Sequence, residues 1–444
     1  MPIPDCYKYR HAFHFSSLHN LELILDHGLL STNRKNQLGI NHVNVAEAGI
    51  QHRRAAMIVP GSGNKTVHDY VPFYFAQKTP MQLAVLHKKN VDQQFIMYFA
   101  VPITIMELRQ DIYFTDASAN TDVPPTFYPA AAPAQLNALN WKIIDSLKWA
   151  YPNEVERHQK MAELLVPDSV SINEIGYIVV WNESIATAVK QIFANKGIRC
   201  PRIEVNTYHY YPDPQDHRYS LVTGPFFLKQ EFEQTVSNIS AANVQNKKFP
   251  DAGSALAAIR LNFSAIKELA DIEGLGANYG PHSDDVGTHS KRVAERVITS
   301  PEYYASDDQN KIILELAAYF HDIGKGPKTR WNNSFMDKAD NNHARKSLPM
   351  LERILTQDIG GLSRDEIRKL VMLVTYDDLL GDIAANGRNK QQLFDIVTSE
   401  SEINMLAALS RADIGAINEG WLFNTNAQIE QLKFEAIAFL RGGR

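Results

Sequence analysis

The sequence is poor in the features that mark secreted and membrane proteins. Its 444 residues include only two cysteines, Cys6 and Cys200, which are too few for a disulfide framework or a thiolate metal site. No window approaches the ~18 consecutive apolar residues of a membrane-spanning helix. The N-terminal stretch MPIPDCYKYRH lacks the apolar core of a signal peptide. We therefore expect a cytoplasmic protein with no membrane partner.

An excess of positive charge is also missing. The chain has 45 Lys and Arg against 50 Asp and Glu, a formal net charge of −5, so any nucleic-acid groove must be narrow and local. The hydrophobic (44%) and charged (21%) fractions are those of a soluble globular protein. The length predicts two or three domains.

Strand and helix signals alternate in the first half of the chain and then separate. After residue 256 nearly all windows have helical periodicity, whereas residues 236–255 lose periodicity and contain Pro250 and Gly253. These patterns predict an α+β domain over residues 1–235, a linker over 236–255 and an all-α domain over 256–444. In the first domain we expect a short amphipathic helix that begins near Leu18 and is stopped at Gly28, and a second helix over 153–165.

An aromatic run, Tyr70-Val-Pro-Phe-Tyr-Phe75, follows a Gly/Ser/Asn turn and a pair of arginines, Arg53 and Arg54. Pro72 has no N–H to donate, which predicts an edge or bulged strand beside a cleft. Tyr70 and Phe73 could stack on an aromatic ligand or line its pocket, although an aromatic strand is more often core.

Four motifs in this order resemble the DarT family. They are His14-Phe-Ser-Ser-Leu-His-Asn20-Leu with Gly28-Leu-Leu; Ile50-Gln-His-Arg-Arg54; His68-Asp-Tyr-Val-Pro-Phe-Tyr-Phe75 with a following Pro-Met pair; and Lys160-Met-Ala-Glu-Leu-Leu-Val166. The resemblance covers roughly residues 8–225. It implies an NAD-dependent ADP-ribosyltransferase toxin that modifies DNA bases, with NAD as substrate and an antitoxin as a possible partner.

The resemblance also implies roles for individual residues. Glu163 corresponds to the catalytic glutamate and Arg54 to the catalytic arginine that holds the cofactor. His14 corresponds to a histidine near the cofactor ribose, and Ser16 and Asn20 share its motif and are expected to bind the cofactor. Residues 35–56 correspond to an element that covers the cofactor, and residues 118–160 to a substrate loop.

The expected nucleic-acid contacts lie where this chain departs from the family or interleaves basic and aromatic residues. Lys78 stands in Ala-Gln-Lys-Thr-Pro-Met, where the family has an arginine, so a point charge replaces a planar guanidinium. Trp141, Lys142, Trp149 and Arg157 form a pattern suited to single-stranded nucleic acid. The same pattern on a helix also fits a core stripe with solvated basic residues.

The second half carries a different signature. His321-Asp322 stands within HDIGKG, with His289 before it and Asp413 after it, and this set resembles the HD-domain phosphohydrolases. The resemblance implies that these four residues bind a divalent metal and that Lys325 meets a phosphate. A ligand set without thiolates suits Mn, Mg, Fe, Co or Ni. Some HD enzymes bind a second metal through extra histidines, and His343 fits one such place. We favour one metal, because Thr375-Tyr376-Asp377-Asp378 stands where a further histidine pair would be expected, with Asp377 or Asp378 as alternate ligands.

The sequence therefore predicts an ADP-ribosyltransferase acting on a nucleic-acid base, most simply in single-stranded DNA, joined to an HD domain that hydrolyses or senses a phosphoester or nucleotide. Two alternatives stay open. The acceptor could be RNA or protein, or the chain could be a nucleotide-sensing module with a regulatory HD domain.

Overall fold

The computed structural model describes residues 2–43, 45, 53–119, 124–148, 150–242, 246–280 and 284–442. The chain divides into two compact units, Met1–Val222 and Thr223–Arg444. Each unit has hydrophobic clusters of its own. Among the described residues, no helix has the length and apolarity needed to cross a membrane.

The first unit is built on an eight-stranded mixed sheet. Its strands and those of a small accessory sheet are β1 (His11–Ser17), β2 (Leu29–Leu30), β3 (Tyr70–Tyr74), β4 (Ile96–Pro102), β5 (Tyr113–Thr115), β6 (Phe127–Pro129), β7 (Glu163–Pro167), β8 (Ser169–Val170), β9 (Tyr177–Val180) and β10 (Arg202–Val205). The order in the main sheet is β10-β9-β4-β1-β3-β7-β5-β6, and β2 pairs with β8. Within the part of this sheet that the structure describes, β9 and β10 pair in parallel and the other neighbouring strands are antiparallel.

The sheet opens in its middle, between β1 and β3. Seven residues of β1 pair with β4 and five of β3 pair with β7, but β1 and β3 share only the pair Phe13↔Tyr74. Pro72 would lie next in this ladder and has no N–H to donate. The prediction of a strand beside a cleft is confirmed, whereas its expected edge position is wrong because β3 is an interior strand.

Helices flank this sheet. They span Leu21–His27, Thr32–Gln37, Pro80–His87, Ile105–Leu108, Trp141–Ile144, Glu154–Gln159 and Glu183–Asn195. The first and last of these pack apolar residues against one face of the sheet, in a cluster that includes Val71 and Phe73 of β3. The helix expected over 153–165 ends at Gln159, and Glu163 begins β7, because Leu164-Leu-Val166 is buried between β3 and β5.

The second unit is helical apart from two short paired strands, Gly276–Ala277 and Phe335–Met336. Its α-helices span Pro225–Ala241, Ala252–Leu261, Lys267–Ile272, Val286–Val297, Pro301–Ala305, Asp308–Phe320, His343–Arg353, Arg364–Thr375, Leu379–Gly381, Gln391–Ile396, Glu400–Ile417 and Glu419–Gly442. An α+β unit is thus followed by an all-α unit, as the sequence predicted.

The division between the units lies earlier than the expected linker. Helix Pro225–Ala241 belongs to the second unit, where Leu228, Phe232, Val236 and Ile239 join its core. Residues 236–241, expected in the linker, are the last part of that helix. The apolar spacing of the helix shows that it packs, but only the tertiary structure shows against which unit.

Candidate active site and metal centre

A cavity of about 330 Å³ lies where β1 and β3 separate. Three elements contribute to its wall: β1 with the turn that follows it, helix Thr32–Gln37, and alternate residues of β3. The described lining residues are His14, Phe15, Ser16, Asn20, Leu30, Thr32, Lys35, Asn36, His42, Val43, Val45, Arg54, Val67, His68, Tyr70, Pro72, Tyr74 and Met81. Residues 44 and 46–52, part of the expected covering segment, lie outside the described residues.

Arg54 lines this cavity and forms a buried bidentate ion pair with Glu163. Arg54 donates from Nη1 and Nη2 to the two carboxylate oxygens of Glu163 at 2.7 and 2.8 Å. Glu163 is fully buried and Arg54 is 5% exposed. Burial alone would lower the pKa of Arg54, but the charge of Glu163 outweighs burial and raises it. The structure thus brings together the two residues that the resemblance implies are catalytic, 109 positions apart.

His14 presents one ring nitrogen to the cavity in neutral form. Its Nδ1 lies 2.8 Å from the carbonyl oxygen of Pro72, so Nδ1 carries the hydrogen and Nε2 is left as an acceptor. Burial lowers the pKa of His14 to about 4, with smaller contributions from Lys35 and Arg54. His14 is therefore uncharged at neutral pH.

Lys35 and His68 also line the cavity. The sequence did not single out either residue. Lys35 lies on helix Thr32–Gln37 with Nζ 3.2 Å from His42 Nε2, and burial lowers its pKa. His68 Nε2 is buried and has no hydrogen-bond partner among the described residues. The sequence could have indicated His68, because this histidine is the first residue of the motif that ends at Phe75. For Lys35 the sequence predicted only that it belongs to the segment 35–56, which covers the cofactor.

The other expected cofactor residues divide into two groups. Ser16, Asn20 and Tyr70 line the cavity, and the Asn20 side chain exchanges two hydrogen bonds with the backbone of Val43, at 2.8 and 2.9 Å, which anchors the chain there. Phe73 does not line the cavity. It is fully buried in the cluster beneath the sheet, because strand alternation turns it to the face opposite Tyr74.

The described residues among the expected nucleic-acid contacts differ in their exposure. Lys78 is 5% exposed, and burial lowers its pKa to about 8. The ring of Trp141 stacks on Tyr7 with 5.1 Å between centroids and lies 3.9 Å from the guanidinium carbon of Arg10. Lys142 and Arg157 are exposed, and Trp149 lies outside the described residues. Lys78 is therefore buried, and Trp141 is half-buried in contacts with Tyr7 and Arg10.

In the second unit, the four residues implied by the HD resemblance converge from two helices and from the end of a third, where His321 and Asp322 follow helix Asp308–Phe320. His289 Nε2 lies 2.8 Å from Asp413 Oδ1 and 3.9 Å from Asp322 Oδ2. His321 Nε2 lies 3.4 Å from Asp322 Oδ2 and 3.7 Å from Asp413 Oδ1. Lys325 Nζ contacts Asp322 Oδ2 at 2.7 Å. His289, His321 and Asp322 offer ligand atoms that all lie within 4.8 Å of one another.

A second cluster shares Asp322 with the first. Asp322, His343 and Asp377 also offer ligand atoms within 4.8 Å of one another, and His343 Nε2 lies 3.4 Å from Asp377 Oδ2 and 3.6 Å from Asp378 Oδ2. His343 Nδ1 lies 2.9 Å from the carbonyl oxygen of Asp340, a contact that orients Nε2 towards the carboxylates.

The donor set fits divalent metal ions. His321 Nε2 and Asp377 Oδ1 are buried and have no hydrogen-bond partner among the described residues. Burial would lower the pKa of His321, but Asp322 and Asp413 outweigh it and raise this pKa to about 9. The carboxylates likewise raise the pKa of His343 to about 10. Both shifts report an environment that favours positive charge, which a metal ion supplies.

Comparison with known proteins gives a match for each unit. The family described as "ssDNA thymidine ADP-ribosyltransferase, DarT" matches residues 13–212, and the HD domain matches residues 282–380. A DNA ADP-ribosyl transferase of Thermus aquaticus is 31% identical over 205 residues, which are 45% of this chain and 88% of that protein. A DNA ADP-ribosyl transferase-DNA ADP-ribosyl glycohydrolase fusion protein of Thermosipho africanus is 24% identical over 255 residues, 55% of this chain and 63% of that protein.

Solved structures of Thermus sp. 2.9 DarT are also similar to the chain. The complex with ADP-ribosylated ssDNA has 27% identity and a TM-score of 0.42, covering 48% of this chain and 99% of that one. The complex with NAD+ has 24% identity and a TM-score of 0.40, covering 47% and 100%. From its identity to the Thermus aquaticus enzyme across most of that enzyme's length, this chain belongs to the DarT family of DNA ADP-ribosyltransferases and carries an HD domain behind its transferase domain.

Proposed function

We propose that the first unit transfers ADP-ribose from NAD to a base of single-stranded DNA, with thymidine as the acceptor that the family description names. The observation that carries the proposal is the buried ion pair of Glu163 with Arg54, which lines the same cavity as a neutral His14. NAD and DNA complexes of the Thermus sp. 2.9 relative agree with these two substrates.

In this reaction the bond between the ribose C1″ and nicotinamide breaks, and nicotinamide leaves with the electron pair. A nitrogen of the acceptor base forms the new bond to C1″ and loses its proton, which Glu163 accepts. The Glu163 carboxylate also stabilises the positive charge that develops on the ribose. Its two hydrogen bonds from Arg54 fix the carboxylate in orientation.

Cofactor binding falls to the remaining polar residues of the cavity. His14 Nε2 accepts a hydrogen bond from a ribose hydroxyl, because its Nδ1–H is directed to the Pro72 carbonyl. Arg54 is engaged by Glu163. Among the described lining residues, Lys35 is therefore the remaining basic side chain, and it binds the pyrophosphate. Residues His68 and Asn20 complete the wall.

The experiment is transfer of label from adenylate-labelled NAD to single-stranded DNA, duplex DNA, RNA and total protein. The isosteric variant Glu163→Gln is compared with the parent chain and with Glu154→Gln, a matched change at a side chain that is 74% exposed. All three carry Asp322→Ala to prevent removal by the second unit. We expect label on single-stranded DNA that Glu163→Gln abolishes and Glu154→Gln retains. Label only on RNA or protein, or none on any acceptor, contradicts the proposal.

The base modification suggests a toxin or phage-defence role with a separate antitoxin that limits it. An ADP-ribosyl group on the pairing edge of a base blocks pairing and adds two phosphates. Expression of the parent chain is then expected to arrest cell growth, and Glu163→Gln to relieve the arrest at equal protein level. Arrest by both forms would rule out base modification as its cause.

For the second unit we propose a phosphohydrolase with two divalent metal positions that share Asp322. His289, His321 and Asp413 hold one position, and His343 and Asp377 the other. A metal ion bound by these residues would supply a water of lowered pKa for attack on a phosphoester. Lys325 lies beside Asp322 to meet the phosphate. This replaces the single metal expected from the sequence.

Metal content tests the count directly. After loading with Mn²⁺ and removal of loosely bound ions, we expect about two ions per chain and about one in the His343→Gln variant. The control is His217→Gln, which lies outside both clusters. An equal metal content in the parent and His343→Gln chains contradicts the second position.

A further inference from the structure

A second cavity lies beside the cofactor cavity in the first unit. Its volume is about 320 Å³, and Phe13 lines it, whereas Phe15 lines the cofactor cavity. Residues two apart on a strand point to the same face of a sheet. The two cavities therefore both reach the face of β1 that carries Phe13 and Phe15.

The register of the sheet fixes the distance from this cavity to the catalytic carboxylate. Phe13 pairs with Tyr74, and Tyr74 pairs with Glu163, so the three side chains form a row on one face of β1, β3 and β7. Two strand spacings separate Phe13 from Glu163, which is about 10 Å. That is roughly three base steps of a stacked strand.

The wall of the second cavity is rich in aromatic rings. Tyr9, Phe13, Phe75 and Tyr177 contribute to it. Tyr177 is held by an edge contact with His11, with ring centroids 4.9 Å apart, while Tyr9 is 71% exposed. Rings of this kind are platforms on which proteins stack the bases of single strands.

The basic groups around the cavity are already engaged by hydrogen-bond partners. Arg10 donates from both terminal nitrogens to Asp145 at 2.8 and 2.9 Å. Lys160 donates to the carbonyls of Ile144 and Ser146 at 2.6 and 2.5 Å. Burial lowers the pKa of His11 below its ordinary value, so this residue is neutral at pH 7 and above. Because its basic groups are already engaged, the aromatic cavity suits a neutral base better than a phosphate.

We infer that this cavity binds a nucleobase of the single-stranded DNA within about three nucleotides of the acceptor, and so sets the sequence context of modification. The inference rests on the proposed transferase function. The aromatic rings supply stacking, and Gln77, which also lines the cavity, supplies an amide that can read a base edge.

The test combines abasic substitution with variants of the wall. Oligonucleotides with one acceptor thymidine carry a single abasic site at each of the three positions on either side. Equilibrium binding by fluorescence anisotropy and the rate of labelling from NAD are measured for the parent chain, Tyr9→Ala and Tyr177→Ala. Tyr208→Ala is the matched control, because Tyr208 is 62% exposed and lies outside the cavity lining.

With the parent chain, an abasic site at one position is expected to weaken binding and labelling about tenfold, the scale of one stacked base. With Tyr9→Ala or Tyr177→Ala, intact and abasic strands should behave alike, while the KM for NAD is unchanged. Tyr208→Ala should behave as the parent chain. An equal abasic effect in all four proteins, or none in the parent chain, overturns the subsite. Failure of the transferase proposal can be distinguished from failure of the subsite. In that case no strand is labelled, while the anisotropy measurement still shows whether an abasic site weakens binding.

Discussion

At the scale of single residues, the Arg54–Glu163 pair has the greatest consequence for stability. A buried ion pair is costly to break from one side, since the remaining charge stays buried without a partner. We expect Arg54→Met to lower the free energy of unfolding by about 3–5 kcal/mol. The double variant Arg54→Met/Glu163→Leu should recover most of this loss, because no charge is left behind.

Urea unfolding and amide hydrogen exchange in β7, where Glu163 is the first residue, measure these effects. Additive losses in the double variant would show that the two charges do not depend on each other. All of these variants are expected to lack transfer activity, so stability and catalysis separate at this pair.

His14 makes stability depend on pH in a defined direction. Its pKa is lowered to about 4 by burial, below the ordinary value near 6.5, so the unfolded chain binds a proton at a higher pH than the folded one. The neutral ring contributes stability above pH 6.5, and this contribution is lost as the pH falls through about 4.

His14→Asn should keep the hydrogen bond to Pro72, because Asn Nδ2 can replace the ring Nδ1. The variant should remove the titration and also the acceptor that faces the cavity. We expect a shallower loss of stability between pH 6.5 and 4 and a KM for NAD raised about tenfold, the effect of one lost hydrogen bond. A pH dependence identical to that of the parent chain would assign the titration to other groups.

At the scale of elements, the opening between β1 and β3 depends on Pro72. The Pro72 carbonyl accepts a hydrogen bond from the β1 side, from His14, and in an antiparallel strand the N–H of a residue points to the same side as its C=O. The ladder therefore lacks a donor at the point where β1 leaves β3.

Pro72→Ala restores this donor, so β1 and β3 can close by one further rung and narrow the cavity. We expect NAD affinity to fall about tenfold, the cost of one displaced polar contact. Pro80→Ala, at the start of helix Pro80–His87, should show only the loss of ~0.4–1 kcal/mol that a proline to alanine change brings through the unfolded chain. Titration calorimetry with NAD measures the difference, and equal affinities in both variants would exclude the role of Pro72.

At the scale of the whole molecule, the chain combines two units with separate cores and different chemistry. Asp322→Ala should lower bound metal and the hydrolysis of generic phosphodiesters together, with the initial rate of ADP-ribose transfer unchanged. Asp308→Ala is the control, because the side chain of Asp308 is fully exposed. Hydrolysis that persists after the metal is lost would exclude attack by a metal-bound water.

The sequence by itself determined the features that depend on local pattern and on ordered motifs. These include the change from α+β to all-α, the strand beside a cleft at Pro72, and the helix that ends at Gly28, whose φ of +79° favours glycine. The residue pairs Arg54 with Glu163 and His289 with Asp413 also came from motifs, because reactive side chains must meet whatever the separation along the chain.

Only the tertiary structure decided which neighbours each segment has. Glu163 begins a strand because β3 and β5 flank Leu164–Val166, although the local pattern favoured a helix. Helix Pro225–Ala241 packs in the second unit. Phe73 points into the core and away from the cofactor cavity. The second cavity exists because register places Phe13, Tyr74 and Glu163 in one row. Whether a residue is buried, which strand its own strand pairs with and in which register all depend on residues far away in the chain. The periodicity of one segment therefore carries no information about them.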